Sequence, residues 1–398
     1  MGRIKFERLK IILTNEYWLL LSLSGVFFSF FALYRGGTDN FIKLCGFFLI
    51  IELLLGNYPI KKIHPHHLFT AAICAYLLLA SLLVPFGHAQ SRQMFRLVRM
   101  LIMVFAIHCL AQKKVTDRIM HFAGATLVLS VCWQFAARYL FHLPYGTYSN
   151  PHQLAIFTAL ALPPIVYFFF VSKDWYKIIF VPVAIMAAAL LLQTSSRPAF
   201  LAIICGTLFV VIFLSKGWHR WLSLILIFSV IAVLYITDYA SVITRMKDLL
   251  VDVPKEERVM WAADSWKMVK DNSLLAWLLG NGIGSVRVFS PKYLWGSMNF
   301  PHNYFLEILF DNGIIGVVLI FGGLAFLFIS TMRTIKKRSD KETCLLMKCM
   351  VAMFLIWFIH CSLTFPFYSN YSLYPLAYIL GTMLVLVEKV NRDEAVVH

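Results

Sequence analysis

The sequence predicts an all-α polytopic membrane protein of about twelve transmembrane helices, with one long extracytoplasmic loop that itself contains helices. Composition is the first reason: 60% of the 398 residues are hydrophobic and 14% charged, whereas soluble globular proteins carry about 25% charge. The mean hydropathy is +0.75. Apolar runs are the second, since crossing the hydrocarbon takes about 20 residues. Such runs recur near 17–34, 41–56, 68–86, 95–111, 119–140, 153–171, 178–193, 198–214, 221–238, 313–331, 343–364 and 373–388. The third is charge alternation, because Lys and Arg are retained on the cytoplasmic side.

The first fifteen residues hold Arg3, Lys5, Arg8 and Lys10. The apolar run after them is too long, and lacks the small-residue exit, for a cleaved signal peptide, so it reads as a retained first span. Alternate connections carry Lys61 and Lys62, then Lys113, Lys114 and Arg118, then Lys173 and Lys177, then Lys216 and Arg220, then Arg333, Lys336, Lys337, Arg338 and Lys341. Lys389 and Arg392 close the series. Both termini are therefore expected in the cytoplasm. A net charge of +16 also suits nucleic acid, but no segment is long and polar enough to form a basic soluble face, and no nucleic-acid partner is expected. The eight cysteines all fall inside apolar runs without metal-ligand spacing, which makes them packing residues.

Topology leaves a second set of cations unexplained. Arg92, Arg96, Arg99, Arg138 and Arg197 fall within or beside spans, where an ionised group is costly and marks a site by default. Arg92, Arg96 and Arg99 recur at spacings of four and three, so they share a helical face. There they bind phosphates of a lipid substrate, or else pair with anionic headgroups of membrane lipids.

One connection is long. It divides the chain into spans over 1–238, a loop over 239–312, and three further spans with a cytoplasmic tail over 313–398. Within the loop, Glu256–Leu279 has helical spacing, with Val259, Ala263, Trp266, Val269 and Trp277 apolar, and is expected at the membrane interface. Gly280-Asn281-Gly282-Ile283-Gly284-Ser285 follows, fitting neither the dinucleotide fingerprint nor a P-loop; Gly282 and Gly284 cradle a phosphate or simply turn the chain. The run Pro301-His302-Asn303-Tyr304 to Asn312-Gly313-Ile314-Ile315-Gly316 is the most specific signal. It sets His-Asn nine residues before Gly-x-x-Gly, with a short helix opening near Pro301 and His302 and ending at Gly313.

These residues resemble the O-antigen ligase and O-antigen polymerase superfamily of bacterial polytopic glycosyltransferases, whose ligases carry His-Asn-x9-Gly-x2-Gly. Thr194-Ser195-Ser196-Arg197 resembles the family's Ser-Arg motif at a span entry. Arg258-Val259-Met260-Trp261 with the glycines after it resembles its loop Arg and downstream glycines, and Asn150-Pro151-His152 resembles its Asn-Pro-Asn loop. Together the motifs span about residues 140–320. The sequence departs from the pattern at His152, where Asn is common, and at Pro198, where a small residue is common.

The resemblance implies a C-type glycosyltransferase fold in the bacterial inner membrane and an active site facing the periplasm. It implies undecaprenyl-diphosphate-linked O-antigen as donor and lipid A-core as acceptor. In that setting His302 is the candidate base for the acceptor hydroxyl, since an imidazole titrates near 6.5 and neighbouring guanidinium groups keep it neutral. Arg197 and Arg258 are the candidate diphosphate clamps, because a planar guanidinium gives paired hydrogen bonds to phosphate oxygens. Arg92, Arg96, Arg99, Arg138, Asn303, Gly282 and Gly284 are further candidate substrate contacts. The sequence holds no Asp-x-Asp pair, so no metal and no cofactor are expected and transfer is expected to invert the anomeric carbon. O-antigen polymerase is the alternative reading. A protein O-oligosaccharyltransferase fits less well, because those enzymes carry added sequence beyond a position such as Glu388, and so does a non-enzymatic lipid-linked glycan transporter, whose charges would line a path at mid-membrane depth.

Overall fold

A computed structural model describes residues 15–32, 36–54, 88–112, 116–172, 175–215, 257–293, 300–337 and 340–397, with scattered positions in 72–79 and 217–236. The described residues are helical apart from turns and one short extended segment, Pro144–Thr147. In chain order the helices are α1 (Asn15–Ala32), α2 (Gly36–Leu54), α3 (His88–Gln112), α4 (Thr116–Tyr139), α5 (Pro151–Val171), α6 (Tyr176–Thr194) and α7 (Arg197–Phe209), which runs on as a π-turn over Val210–Leu214. Next come α8 (Glu257–Lys270), α9 (Leu274–Leu279) and α10 (Val286–Phe289), and then the long helices α11 (Tyr304–Lys337), α12 (Lys341–Ser362) and α13 (Asn370–Val397).

Among the described residues, seven helical stretches are long and apolar enough to cross a membrane, in α3, α5, α6, α7, α11, α12 and α13. They make this a multi-pass membrane protein. The expected spans near 17–34 and 41–56 are the helices α1 and α2. Those near 68–86 and 221–238 lie largely outside the described residues, as do the charged N-terminus and the start of the long loop.

Two boundaries move for identifiable reasons. The expected helix over 256–279 is two helices, because Ser273 caps the second one and its side chain accepts from the Ala276 N–H at 3.2 Å. The expected tenth span begins nine residues early, at Tyr304. There Asn303 takes the N-cap position, accepting from Leu306 N–H on its side chain at 3.2 Å and from Glu307 N–H on its carbonyl at 3.0 Å.

The expected break at Gly313 is a kink inside α11, with φ 64 and ψ −174. Only glycine takes that backbone freely. A Cβ there would sit 2.3 Å from the Leu278 carbonyl oxygen, so the bare backbone at Gly313 also lets α9 pack onto α11.

Among the described residues the larger core cluster joins α1, α2, α3, α5, α7, α11, α12 and α13, with Trp357, Tyr304 and Tyr368 among its fully buried side chains, and a smaller one lies between α4, α5 and α6 around Val131, Phe157 and Leu190. Helix α3 packs along α13, and α12 packs against both α7 and α5. At the far end of the α3 and α13 pair from Arg92, His108 Nε2 and Glu388 Oε2 lie 2.8 Å apart and buried. The sixteen residues from Arg92 to His108 make about 24 Å of helix at 1.5 Å per residue, so this pair holds α3 against α13 well away from the arginines.

Candidate active site

His302 is placed by the cap that starts α11. Asn303 fixes the first turn, which leaves His302 just outside the helix with φ 49. A left-handed conformation at a non-glycine residue costs about 1–3 kcal/mol and persists where the surroundings enforce it. The imidazole stacks on Trp261 of α8, with ring centres 4.8 Å apart and planes at 25°, and on Phe300, at 4.1 Å and 36°. Neither ring nitrogen meets hydrogen-bond geometry with a described residue. Burial first, and the Arg258 charge second, push its pKa down to about 4, while the Leu363 backbone pulls the other way. The ring is therefore neutral near pH 7.

Arg258 stands in the first turn of α8, three residues before Trp261. Its positive charge acts on three imidazoles, those of His302, His152 and His360. Arg258 therefore lies within electrostatic range of His302. Arg197 opens α7 directly after Ser195 in a left-handed conformation (φ 47) and Ser196 at the N-cap. Its neighbour Ser196 lies 3.4 Å through Oγ from His152 Nδ1, so this turn reaches the histidine group.

His302 and His152 line one open cavity of about 560 Å³ at the end of the bundle. Arg92 and Arg96 come to it from α3, Thr147, Tyr148, Asn150 and Gln153 from the start of α5 and the segment before it, and Arg287 from α10. Thr364, Phe365, Pro366 and Ser369 from the turn between α12 and α13, and Asn370, Tyr371 and Tyr374 from the start of α13, add to the wall, with Thr38 and Phe300. Three arginines and no carboxylate line it among the described residues, so its electrostatics favour an anion. Neither Arg197 nor Arg258 is among these lining residues.

The other expected contacts separate. Arg99 shares a helical face with Arg96 but binds Asp39 at 2.6 Å, and Asp39 also accepts from the Tyr374 hydroxyl at 3.0 Å. Arg96 donates to the Tyr368 carbonyl at 3.2 Å. Arg138 lies elsewhere, donating from Nε to Gln193 at 2.8 Å in an exposed position. Asn303 serves the helix cap. The glycine loop is folded on Asp311: Gly282 N–H donates to its carbonyl at 2.8 Å, and Gly284 and Val286 N–H donate to its carboxylate at 2.7 and 2.8 Å. Those donors are already used inside the protein.

Arg287, Glu307 and Asp311 are the positions that the motifs did not single out. Asp311 holds the loop that delivers Arg287, whose Nε is buried without a hydrogen-bond partner among the described residues. One turn earlier, Glu307 accepts from Phe367 N–H at 2.7 Å and fixes the 364–369 turn. Tyr76 donates to the Asn312 carbonyl at 2.6 Å, and Tyr368 donates to the Asn312 side chain. Acids four apart on a span, at 307 and 311, were a legible sign of buried structural carboxylates. Among the described residues no group of three His, Cys, Asp or Glu could hold a metal ion.

Two histidines and three arginines thus line one cavity at an end of the helical bundle, a setting that favours an anionic ligand. Residues 181–321, about a third of the chain, match the family model for O-antigen ligase. The matched stretch contains Arg197, Arg258 and His302. No curated protein matches the chain.

Proposed function

We propose that this protein transfers O-antigen glycan from undecaprenyl diphosphate to lipid A-core at the periplasmic face of the inner membrane. The observation that carries the reading is His302, held neutral beside Arg258 at the rim of an arginine-lined cavity within the stretch that matches O-antigen ligase. His302 takes the proton of the acceptor hydroxyl, and the oxygen attacks the anomeric carbon from the face opposite the diphosphate. The bond from that carbon to the phosphate oxygen breaks with its electron pair, and configuration inverts. Arg92, Arg96 and Arg287, which line the cavity, carry the charge developing on the leaving diphosphate, a preorganised interaction of the kind worth about 3–4 kcal/mol per donor, and Arg258 and Arg197 add positive charge from outside its wall.

In this reading both termini are cytoplasmic, the loop over 239–312 is periplasmic, and charge neutralisation by guanidinium groups makes the transfer independent of metal. The site accommodates an O-antigen polymerase equally well, since that enzyme uses the same donor and needs the same base. Deleting the gene and examining lipopolysaccharide on gels separates the two. A ligase leaves core without any cap while long lipid-linked polymer persists; a polymerase leaves core bearing a single repeat unit. Full activity of the purified protein in chelator is the expected result for arginine-based charge neutralisation, and loss of activity that divalent cation restores contradicts it.

A further inference from the structure

Of the two imidazoles that line the cavity, His152 is the anchored one. It stands in the first turn of α5, after Asn150 has capped the helix by accepting from Gln153 N–H at 3.0 Å and Pro151 has taken the first helical position. Its Nδ1 lies 3.4 Å from the Oγ of Ser196, and Ser196 is 2% exposed. A serine hydroxyl can donate to or accept from this nitrogen, and with the hydroxyl as donor the ring proton sits on Nε2. With Nδ1 turned to Ser196, that Nε2–H is the group left for the cavity. The ligand it meets is anionic, because Arg92, Arg96 and Arg287 line the cavity without a carboxylate and Arg258 acts on His152 itself. Asn150 and Gln153 flank it on the same wall, at the helix end whose dipole favours negative charge.

We infer that His152 is a substrate-contacting residue whose Nε2–H donates to a phosphate oxygen of the lipid diphosphate, with Ser196 setting its tautomer. The inference rests on the glycosyl-transfer reading and adds a neutral donor to the arginines. His152 does not exchange its proton in the reaction.

The test uses purified protein with lipid-linked glycan and lipid A-core, together with the thermal shift produced by undecaprenyl diphosphate alone. A hydrogen bond to an ionised oxygen sets the expected loss, so His152→Ala lowers kcat/KM for the donor about 10- to 100-fold and shrinks the thermal shift. His152→Asn, which keeps an N–H donor and does not titrate, restores most of both with the pH profile of the wild type. Ser196→Ala, which frees the tautomer without removing the ring, gives a smaller loss of the same kind. Wild-type kinetics in His152→Ala overturn the inference. So does a His152→Asn variant as poor as His152→Ala with an altered pH profile, which would assign proton transfer to this ring. Absence of transfer by the wild type counts against the function instead, and the thermal shift with undecaprenyl diphosphate then still decides the contact.

Discussion

Removing the Asp311 carboxylate should release the loop that carries Arg287. In Asp311→Ala the N–H groups of Gly284 and Val286 lose acceptors now at 2.7 and 2.8 Å, and both residues are buried. An unsatisfied buried donor costs about 1–3 kcal/mol, so two cost about 2–6 kcal/mol. Relief of burying a carboxylate one turn from Glu307 offsets part of this, and a net local loss of about 3 kcal/mol is expected. That corresponds to roughly a hundredfold faster opening of the loop, read as amide hydrogen exchange over residues 280–290 of the protein in lipid nanodiscs. Asp311→Asn keeps one acceptor and should show about half the effect in free energy. Exchange within threefold of wild type in Asp311→Ala, with the protein intact, would refute the assignment of Asp311 as the anchor of this loop.

Gly313→Ala should destabilise the fold by about 3 kcal/mol or more, since it needs φ 64 and puts a Cβ 2.3 Å from the Leu278 carbonyl; thermal unfolding measures it, and a change below about 1 kcal/mol contradicts the close packing of α9 on α11. Arg96→Ala should raise the donor KM markedly more than Arg99→Ala, because Asp39 already occupies Arg99 at 2.6 Å while Arg96 lines the cavity; equal effects from the two would contradict that division. The acid limb of the kcat/KM profile should fall near pH 4 rather than 6.5, because His302 titrates at about 4. Arg258→Gln should move that limb upward without reaching 6.5, since burial is the larger cause. The same shift lowers stability as pH falls from 6.5 to 4: within that window the unfolded chain binds a proton at His302 that the folded protein does not, and below it nothing further is lost from this group.

The motifs around the site were readable because each needs a particular residue for a local physical reason. Asn303 caps, Gly313 breaks the helix, and the nine residues between Asn303 and Gly313 make the first turns of α11; the spacing of the motif is the geometry of that helix. His302 and Arg258 are far apart in sequence, and the resemblance alone joined them. The three-arginine face on α3 was legible as a face, but periodicity cannot say which member has a partner in another helix, and Asp39 on α2 removes Arg99 from the set. The glycine loop read as a phosphate cradle or a plain turn, because sequence does not say where its N–H groups point. They point toward Asp311, a residue of the chain itself. Arg287 was one of the cations that topology leaves unexplained but not a site candidate, because nothing in its local pattern shows that the loop is pinned; that follows from contacts 25 and 27 residues apart in sequence. His152 was read as a departure from a motif, and only the fold shows it sharing a cavity with His302.

The central claim is that the imidazole at His302 accepts the proton of the attacking hydroxyl. Transfer by purified wild type and His302→Ala, with lipid-linked glycan and lipid A-core in the same vesicles, tests it most directly. The expected result is that His302→Ala still binds undecaprenyl diphosphate and forms capped lipopolysaccharide at least a hundredfold more slowly. Capping at the wild-type rate by that variant would contradict it.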